Sequence, residues 1–187
     1  MRTALQISVI LGTARQGRQS EHVARLVFEL LQKRAGVAAE FIDVREIPMR
    51  LDDAGDAMKD PKFADSMQRS DALVLIVPEY NHGYPGLLKH ALDMCLEEYN
   101  HKVAGICGVS AGPFGGSRAI ENLVPVLREL GLVISGVDVN FSKVHAVFNE
   151  QGELQDESWN GRVNKFLDEL IWLAQVMKHG RANIAPA

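Results

Sequence analysis

A doubly wound α/β domain, with helices on both faces of a five-stranded parallel sheet, is the fold class this sequence predicts. Three observations lead there. Short apolar runs rich in β-branched residues recur along the chain, as expected of buried strands. Each is followed by apolar residues at helical spacing, so the order is β then α throughout. The strands are apolar almost without interruption, which demands burial on both sides, as right-handed crossovers in a parallel sheet provide. With 187 residues and 47% hydrophobic side chains the chain encloses one substantial core rather than two, so residues 1–187 are read as a single domain.

The first strand is read over residues 5–11, and Val23, Val27, Leu30 and Leu31 mark the inner face of the helix behind it. A second strand over 37–44 leads to a helix carrying Phe63 and Met67. The third, over 72–77, is followed at helical spacing by Leu87, Leu88, Leu92 and Cys95. The fourth, over 103–109, precedes Ile120, Leu123, Val124, Leu127 and Leu130; Pro125 lies inside that pattern, and its missing N–H and crowding ring predict a kink. After a fifth strand over 132–139, Val163, Phe166, Leu167, Leu170 and Leu173 close the chain as a last helix. Residues 145–157, with Gly152 in a polar turn, extend beyond the fifth strand, and the tail over 180–187 lacks periodic apolar residues and is expected to fray. Five strands in this length fit the sheet order 2-1-3-4-5.

Charge narrows the range of partners. Twenty Lys and Arg stand against 24 Asp and Glu, a net −4, which offers no footprint for nucleic acid or an anionic membrane. The longest apolar runs fall far short of the ~20 residues a spanning helix needs, and residues 1–10 lack the pattern of a secretory leader. Cys95 and Cys107 stand outside any CxxC arrangement and are read as core fillers, which suits a reducing, cytoplasmic setting. The histidines include no HExxH and no zinc spacing, so no metal site is expected. Asp52, Asp53 and Asp56 read as a solvated edge.

Ligands of open α/β sheets bind beyond the carboxyl ends of the strands, so the loops after strands one, three and four are the candidate site. The first holds Gly12, Thr13, Arg15, Gly17, Arg18, Gln19 and Ser20 and runs directly into a helix. Helix N–H groups, two hydroxyls and two guanidinium groups suit a phosphate, although Ser20 could equally be a plain helix cap. The second, Pro78, Glu79, Tyr80, Asn81, His82, Gly83, Tyr84, Pro85 and Gly86, combines aromatic, amide and rigid residues able to wall a flat ring. The third runs from Gly108 through Ser110, Gly112 and Pro113 to Gly116, with glycines that allow close backbone approach.

That third loop also matches GxSxG, and Asp138 and His145 follow Ser110 in the order of a serine hydrolase. A nucleophile elbow needs its helix to start almost at the serine, whereas Pro113 to Gly116 prolong the loop. An HGGG-type oxyanion segment is also missing upstream.

Together the three loops resemble the NAD(P)H-dependent FMN reductase family, the flavodoxin-like group that includes quinone, azo-dye and chromate reductases. The resemblance runs from about Ile7 to the final helix. It is carried by Leu11-Gly12-Thr13-Ala14-Arg15, by Pro78-Glu79-Tyr80-Asn81 with Pro85-Gly86-Leu87-Leu88-Lys89-His90, and by Val109-Ser110-Ala111-Gly112 with Gly115-Gly116. It implies a flavodoxin-like sandwich that moves hydride from NADPH or NADH through FMN to a small acceptor such as a quinone, azo compound, free flavin or metal oxyanion. Thr13, Arg15, Arg18, Gln19 and Ser20 would surround the FMN phosphate, Pro78, Glu79, Tyr80 and Asn81 would border the ring, and Ser110 and Gly112 its other edge. No side chain need act as a nucleophile, and His82 and Tyr84 are expected to touch the nicotinamide or acceptor. The frequent family form of the first loop is Gly-Ser-x-Arg-x-Gly-Ser-x-Asn, which leaves three readings for Arg18: it holds the FMN phosphate, reaches the 2′-phosphate of NADPH, or faces water. A homodimer or homotetramer is implied by the resemblance alone. The alternative within the fold is an electron carrier of the flavodoxin type, whose phosphate loop usually lacks arginines.

Overall fold

The computed structural model describes residues 4–50 and 58–184. The strands β1 (Leu5–Leu11), β2 (Val37–Asp43), β3 (Ala72–Pro78) and β4 (Val103–Val109) lie in the order β2-β1-β3-β4, every pairing parallel. Two short strands complete the sheet on the far side of β4: β5 (Val133–Ile134) and β6 (Val139–Phe141). The fifth strand expected over 132–139 is thus two pieces on successive halves of β4, giving six strands in the 2-1-3-4-5 order. Gly136, with no side chain to pack, stands in the break.

Helices α1 (Ser20–Gln32) and α5 (Ser158–Asn183) cover one face; α2 (Pro61–Arg69), α3 (Gly86–Asp93) and α4 (Ser117–Glu129) cover the other. Alternation along the strands divides the core. Val9, Val74 and Cys107 pack with Val23, Val27, Phe166 and Leu170, whereas Ile10, Leu75 and Ile106 pack with Met67, Leu88, Leu123 and Leu127. The helix α5 lies so close to β4 that a Cβ at Gly105 would stand 2.7 Å from the Phe166 ring.

The helix α4 is continuous across Pro125; the bond it forgoes falls on the carbonyl of Glu121, an exposed residue. The C-terminal helix departs from expectation, for it continues through 180–183 instead of fraying. Its last turns are fastened by Lys178 Nζ, 2.7 Å from Asp71 Oδ2, and by Arg181, which donates to Asp71 Oδ1 at 2.6 Å and to the carbonyl of His101 at 2.7 Å. The rest of that tail, 185–187, and the carboxylates Asp52, Asp53 and Asp56 lie outside the described residues. Residues 144–157 form a short turn and an antiparallel bridge between Phe148 and Leu154, with the Phe148 ring 5.7 Å from His22 on α1. Among the described residues no helix is long and apolar enough to cross a membrane. Both cysteines are free and buried, and burial pushes the Cys95 thiol up to about 12 and raises Cys107 as well.

Candidate functional site

Three loops meet at the carboxyl edge of the sheet, beyond β1, β3 and β4. Leaving β1, the chain stays against β3: Gly12 N donates to Ile76 O at 3.0 Å, and a Cβ at Gly12 would stand 2.8 Å from that carbonyl oxygen. Thr13 is buried, its hydroxyl 2.9 Å from the Tyr80 hydroxyl and accepting from Arg15 N at 3.3 Å. The Arg15 guanidinium lies 5.7 Å from the centre of the Tyr80 ring. The loop after β1 and the loop after β3 are therefore joined by a hydroxyl pair and a cation over an aromatic face.

The loop after β3 is a tight two-residue turn. Tyr80 N donates to Gly83 O at 2.9 Å and Gly83 N to Tyr80 O at 3.0 Å, with Asn81 at φ 50 and His82 at φ 67 between them. Both central residues are left-handed, as a mirror-type hairpin turn requires. Helix α4 holds this turn from the side: Arg118 Nη1 is 2.9 Å from His82 Nε2, Arg118 Nε donates to Glu79 Oε1 at 2.7 Å, and Asn122 donates to His82 O at 2.8 Å. The same guanidinium lies 4.9 Å from the centre of the Phe114 ring. His82 thus engages α4 through its ring nitrogen, and Tyr84 is half-buried against the core beneath α3.

After β4 the backbone is fastened to the segment following β6. Ser110 N donates to Phe141 O at 3.1 Å, Val144 N to Ser110 O at 3.1 Å and Lys143 N to Gly112 O at 3.0 Å. The Ser110 hydroxyl donates to Gly112 O at 3.0 Å, and α4 begins only at Ser117. The hydrolase geometry is not formed: the serine has no helix starting on it, and among the described residues its hydroxyl has no hydrogen bond to His145. Asp138 is pushed up to about 6 by burial, with the charge of Glu121 adding to the effect.

Between the three loops lies a groove of about 300 Å³ lined by Arg15, Arg18, Gln19 and Ser20, by Pro78, Glu79 and Tyr80, and by Ser110 with Val109 and Val144. A larger cavity, about 720 Å³, lies by Leu5, Gly36 and His179, where β1 and β2 begin. Position outweighs size between these two, because the smaller one combines a helix start, hydroxyls and cations where three loops meet at the strand ends. Eight of the residues expected at the site line the groove. Thr13 supports Tyr80 from behind, and Asn81 and Gly112 shape their turns.

Ser20 is the sharpest feature of this groove. It opens α1, is 2% exposed, and its hydroxyl has no hydrogen-bond partner among the described residues; Gln19 before it makes no side-chain cap. A buried hydroxyl at the opening of a helix that has no side-chain cap calls for an acceptor, and a phosphate oxygen fits it.

Arg18 is the exception among the expected ligands. Its guanidinium is buried and grips the Thr13 carbonyl and both carboxylate oxygens of Asp43, at the end of β2. Burial works against the Asp43 charge, yet hydrogen bonds from Arg18 and Arg45 prevail and hold its carboxyl down at about 2. Of the three readings left open for Arg18, none describes this inward ion pair.

Sequence reasoning missed Arg118 and Asn122. One trace was available: a cation in the first turn of a helix faces the positive end of its dipole, a place arginine occupies only for a partner elsewhere.

The chain matches the family of NADPH-dependent FMN reductases over residues 5–146. It is 29% identical over 150 residues to an NAD(P)H-dependent FMN reductase of Pseudomonas aeruginosa, covering 75% of this chain and 81% of that one. With a quinone reductase of Pseudomonas putida it shares 26% identity over 168 residues, 84% and 89% of the two chains. Among solved structures, an NAD(P)H:acceptor oxidoreductase from Paracoccus denitrificans superposes with a TM-score of 0.74 at 25% identity, covering 90% of this chain and 98% of that one. The fold and these matches define a flavodoxin-like oxidoreductase. Within that class, the chain belongs to the NADPH-dependent FMN reductase family.

Proposed function

We propose that the three-loop groove holds FMN and that the protein passes reducing equivalents from NADPH or NADH to a small organic acceptor, a quinone being the class favoured by the Pseudomonas putida relative. The partnerless Ser20 hydroxyl carries this reading, because it stands where the phosphate of FMN would end. When bound, FMN accepts hydride from the nicotinamide and returns it to the acceptor.

The chain's own task is positioning. The N–H groups opening α1, the Ser20 hydroxyl and the Arg15 guanidinium bind the phosphate. Pro78, Glu79 and Tyr80 border one edge of the ring and Ser110 with Gly112 the other, on backbone too closely fastened to shift when charge develops. Asn81 keeps the turn after Tyr80 in its left-handed shape. His82, held by Arg118, and Tyr84 stand beside the place where nicotinamide and acceptor alternate. Leu87 and Phe114 are large exposed apolar side chains near this edge, which supports a homodimer or homotetramer burying them. Two free buried thiols fit a cytoplasmic setting.

The test is the visible spectrum of the purified protein with and without added FMN, followed by anaerobic addition of NADPH and NADH in turn. Yellow protein that bleaches on adding either nucleotide, and regains colour with a benzoquinone, is the expected result. A protein that stays colourless with FMN, or yellow but unbleached, overturns the reading.

A further inference from the structure

Arg18 supports an inference that rests on the phosphate reading above. Backbone hydrogen bonds hold the loop between β1 and α1 at its ends, through Gly12 N to Ile76 O at 3.0 Å and Glu21 N to Arg18 O at 3.3 Å. Side chains hold the span between. The Arg18 side chain, 2% exposed, reaches back across the loop to the Thr13 carbonyl, donates to Asp43 Oδ1 at 2.9 Å and also to Asp43 Oδ2, and lies 3.4 Å from Glu21 Oε2. Both ends of the loop are thereby tied to the tip of the edge strand β2. Two acceptors that would repel an anion, a carbonyl and a carboxylate, are both taken up by this one cation, which belongs to a residue lining the groove.

We propose that Arg18 is a positioning residue for the phosphate end of the groove: its inward guanidinium fixes the loop over residues 12–19 in its anion-binding shape and neutralises Thr13 O and Asp43 instead of meeting the ligand. The charges around it are Asp43 and Glu21 against Arg45 and Arg25. Arg45 meets Asp43 from the solvent side, so the inner face of that carboxylate depends on Arg18. Lysine cannot replace it fully, because a single ammonium does not span the carbonyl and both carboxylate oxygens as the planar fork does.

Flavin-free protein titrated with FMN and with riboflavin, which lacks the phosphate, separates positioning from general support. The parent is expected to prefer FMN. In Arg18→Gln the dissociation constant for FMN rises at least about tenfold while that for riboflavin changes less than about threefold. Arg18→Lys falls between and carries the same comparison if the glutamine variant does not fold. Adding Asp43→Asn to Arg18→Gln recovers part of the FMN affinity, since the negative charge that Arg18 had neutralised is gone. Equal losses for the two flavins, no loss for either, or no recovery in the double variant overturns the proposal. A parent that binds neither flavin overturns the FMN reading itself, whereas a parent that prefers FMN alongside an unchanged Arg18→Gln overturns only the role of Arg18.

Discussion

Replacing Arg118 with alanine tests whether α4 holds the turn after β3 in shape. That turn is strained, since Asn81 at φ 50 and His82 at φ 67 each occupy a region costing a non-glycine residue about 1 kcal/mol or more. Contacts must offset about 2 kcal/mol, and Arg118 makes two of them, to His82 Nε2 at 2.9 Å and to Glu79 Oε1 at 2.7 Å. A charge-assisted hydrogen bond contributes about 1.5–3 kcal/mol when buried. The Arg118 side chain is 43% exposed, so solvent screening reduces the expected loss to about 1–2 kcal/mol. For a chain of 187 residues this is a fall in melting temperature of about 2–8 °C. Thermal unfolding of flavin-free Arg118→Ala measures it, and FMN titration reads the second consequence, weaker binding by about fivefold as the wall loosens. A cycle with Glu79→Gln should return a coupling of about 1 kcal/mol. If Arg118→Ala melts within about 1 °C of the parent and binds FMN equally well, the turn holds itself and the clamp is wrong.

Four further outcomes follow from the same geometry. Ser20→Ala removes a buried hydroxyl that has no partner, so flavin-free protein should melt at the same temperature or higher while FMN binding weakens about tenfold; a lower melting temperature with unchanged binding contradicts the phosphate assignment. Tyr80→Phe breaks the 2.9 Å contact with Thr13 and should cost about 0.5–1.5 kcal/mol in denaturant unfolding, with the corresponding Thr13→Val variant non-additive. The Asp43 carboxyl, depressed to about 2 from an ordinary 3.8, contributes about 2 kcal/mol of stability. That contribution is intact above pH 4 and disappears as pH falls through 2, so parent and Asp43→Asn should differ at pH 7 and converge in acid. Asp138, raised to about 6, has the opposite sign, because its contribution is present in acid and declines as pH rises through 6; Asp138→Asn should gain on the parent at pH 8 but not at pH 4.

Much of the site was legible in the sequence because its signals are local. Gly12 and Ser20 bracket a strand-to-helix loop, and Pro78-Glu79-Tyr80-Asn81 follows an apolar run, so both loops could be placed by period and turn chemistry alone. The inward turn of Arg18 was not legible. Its partner, Asp43, is 25 residues away, and only the parallel pairing of β1 with β2, which sets Leu11 opposite Asp43, brings the two together. The clamp on His82 likewise joins residues 36 apart, through a helix whose start was known but whose facing side was not.

Composition, strand and helix period and the residues of three loops determine, from sequence alone, an α/β sandwich with a ligand site at one sheet edge. Those properties depend on each residue's own backbone preferences and hydrophobicity, which act over a few positions. Tertiary structure decided the rest: the break between β5 and β6, the helical tail anchored on Asp71, the partnerless hydroxyl of Ser20 and the charge partner of Arg18. Each depends on which groups meet across the fold and how far water is excluded from them, and both depend on the packing of distant segments.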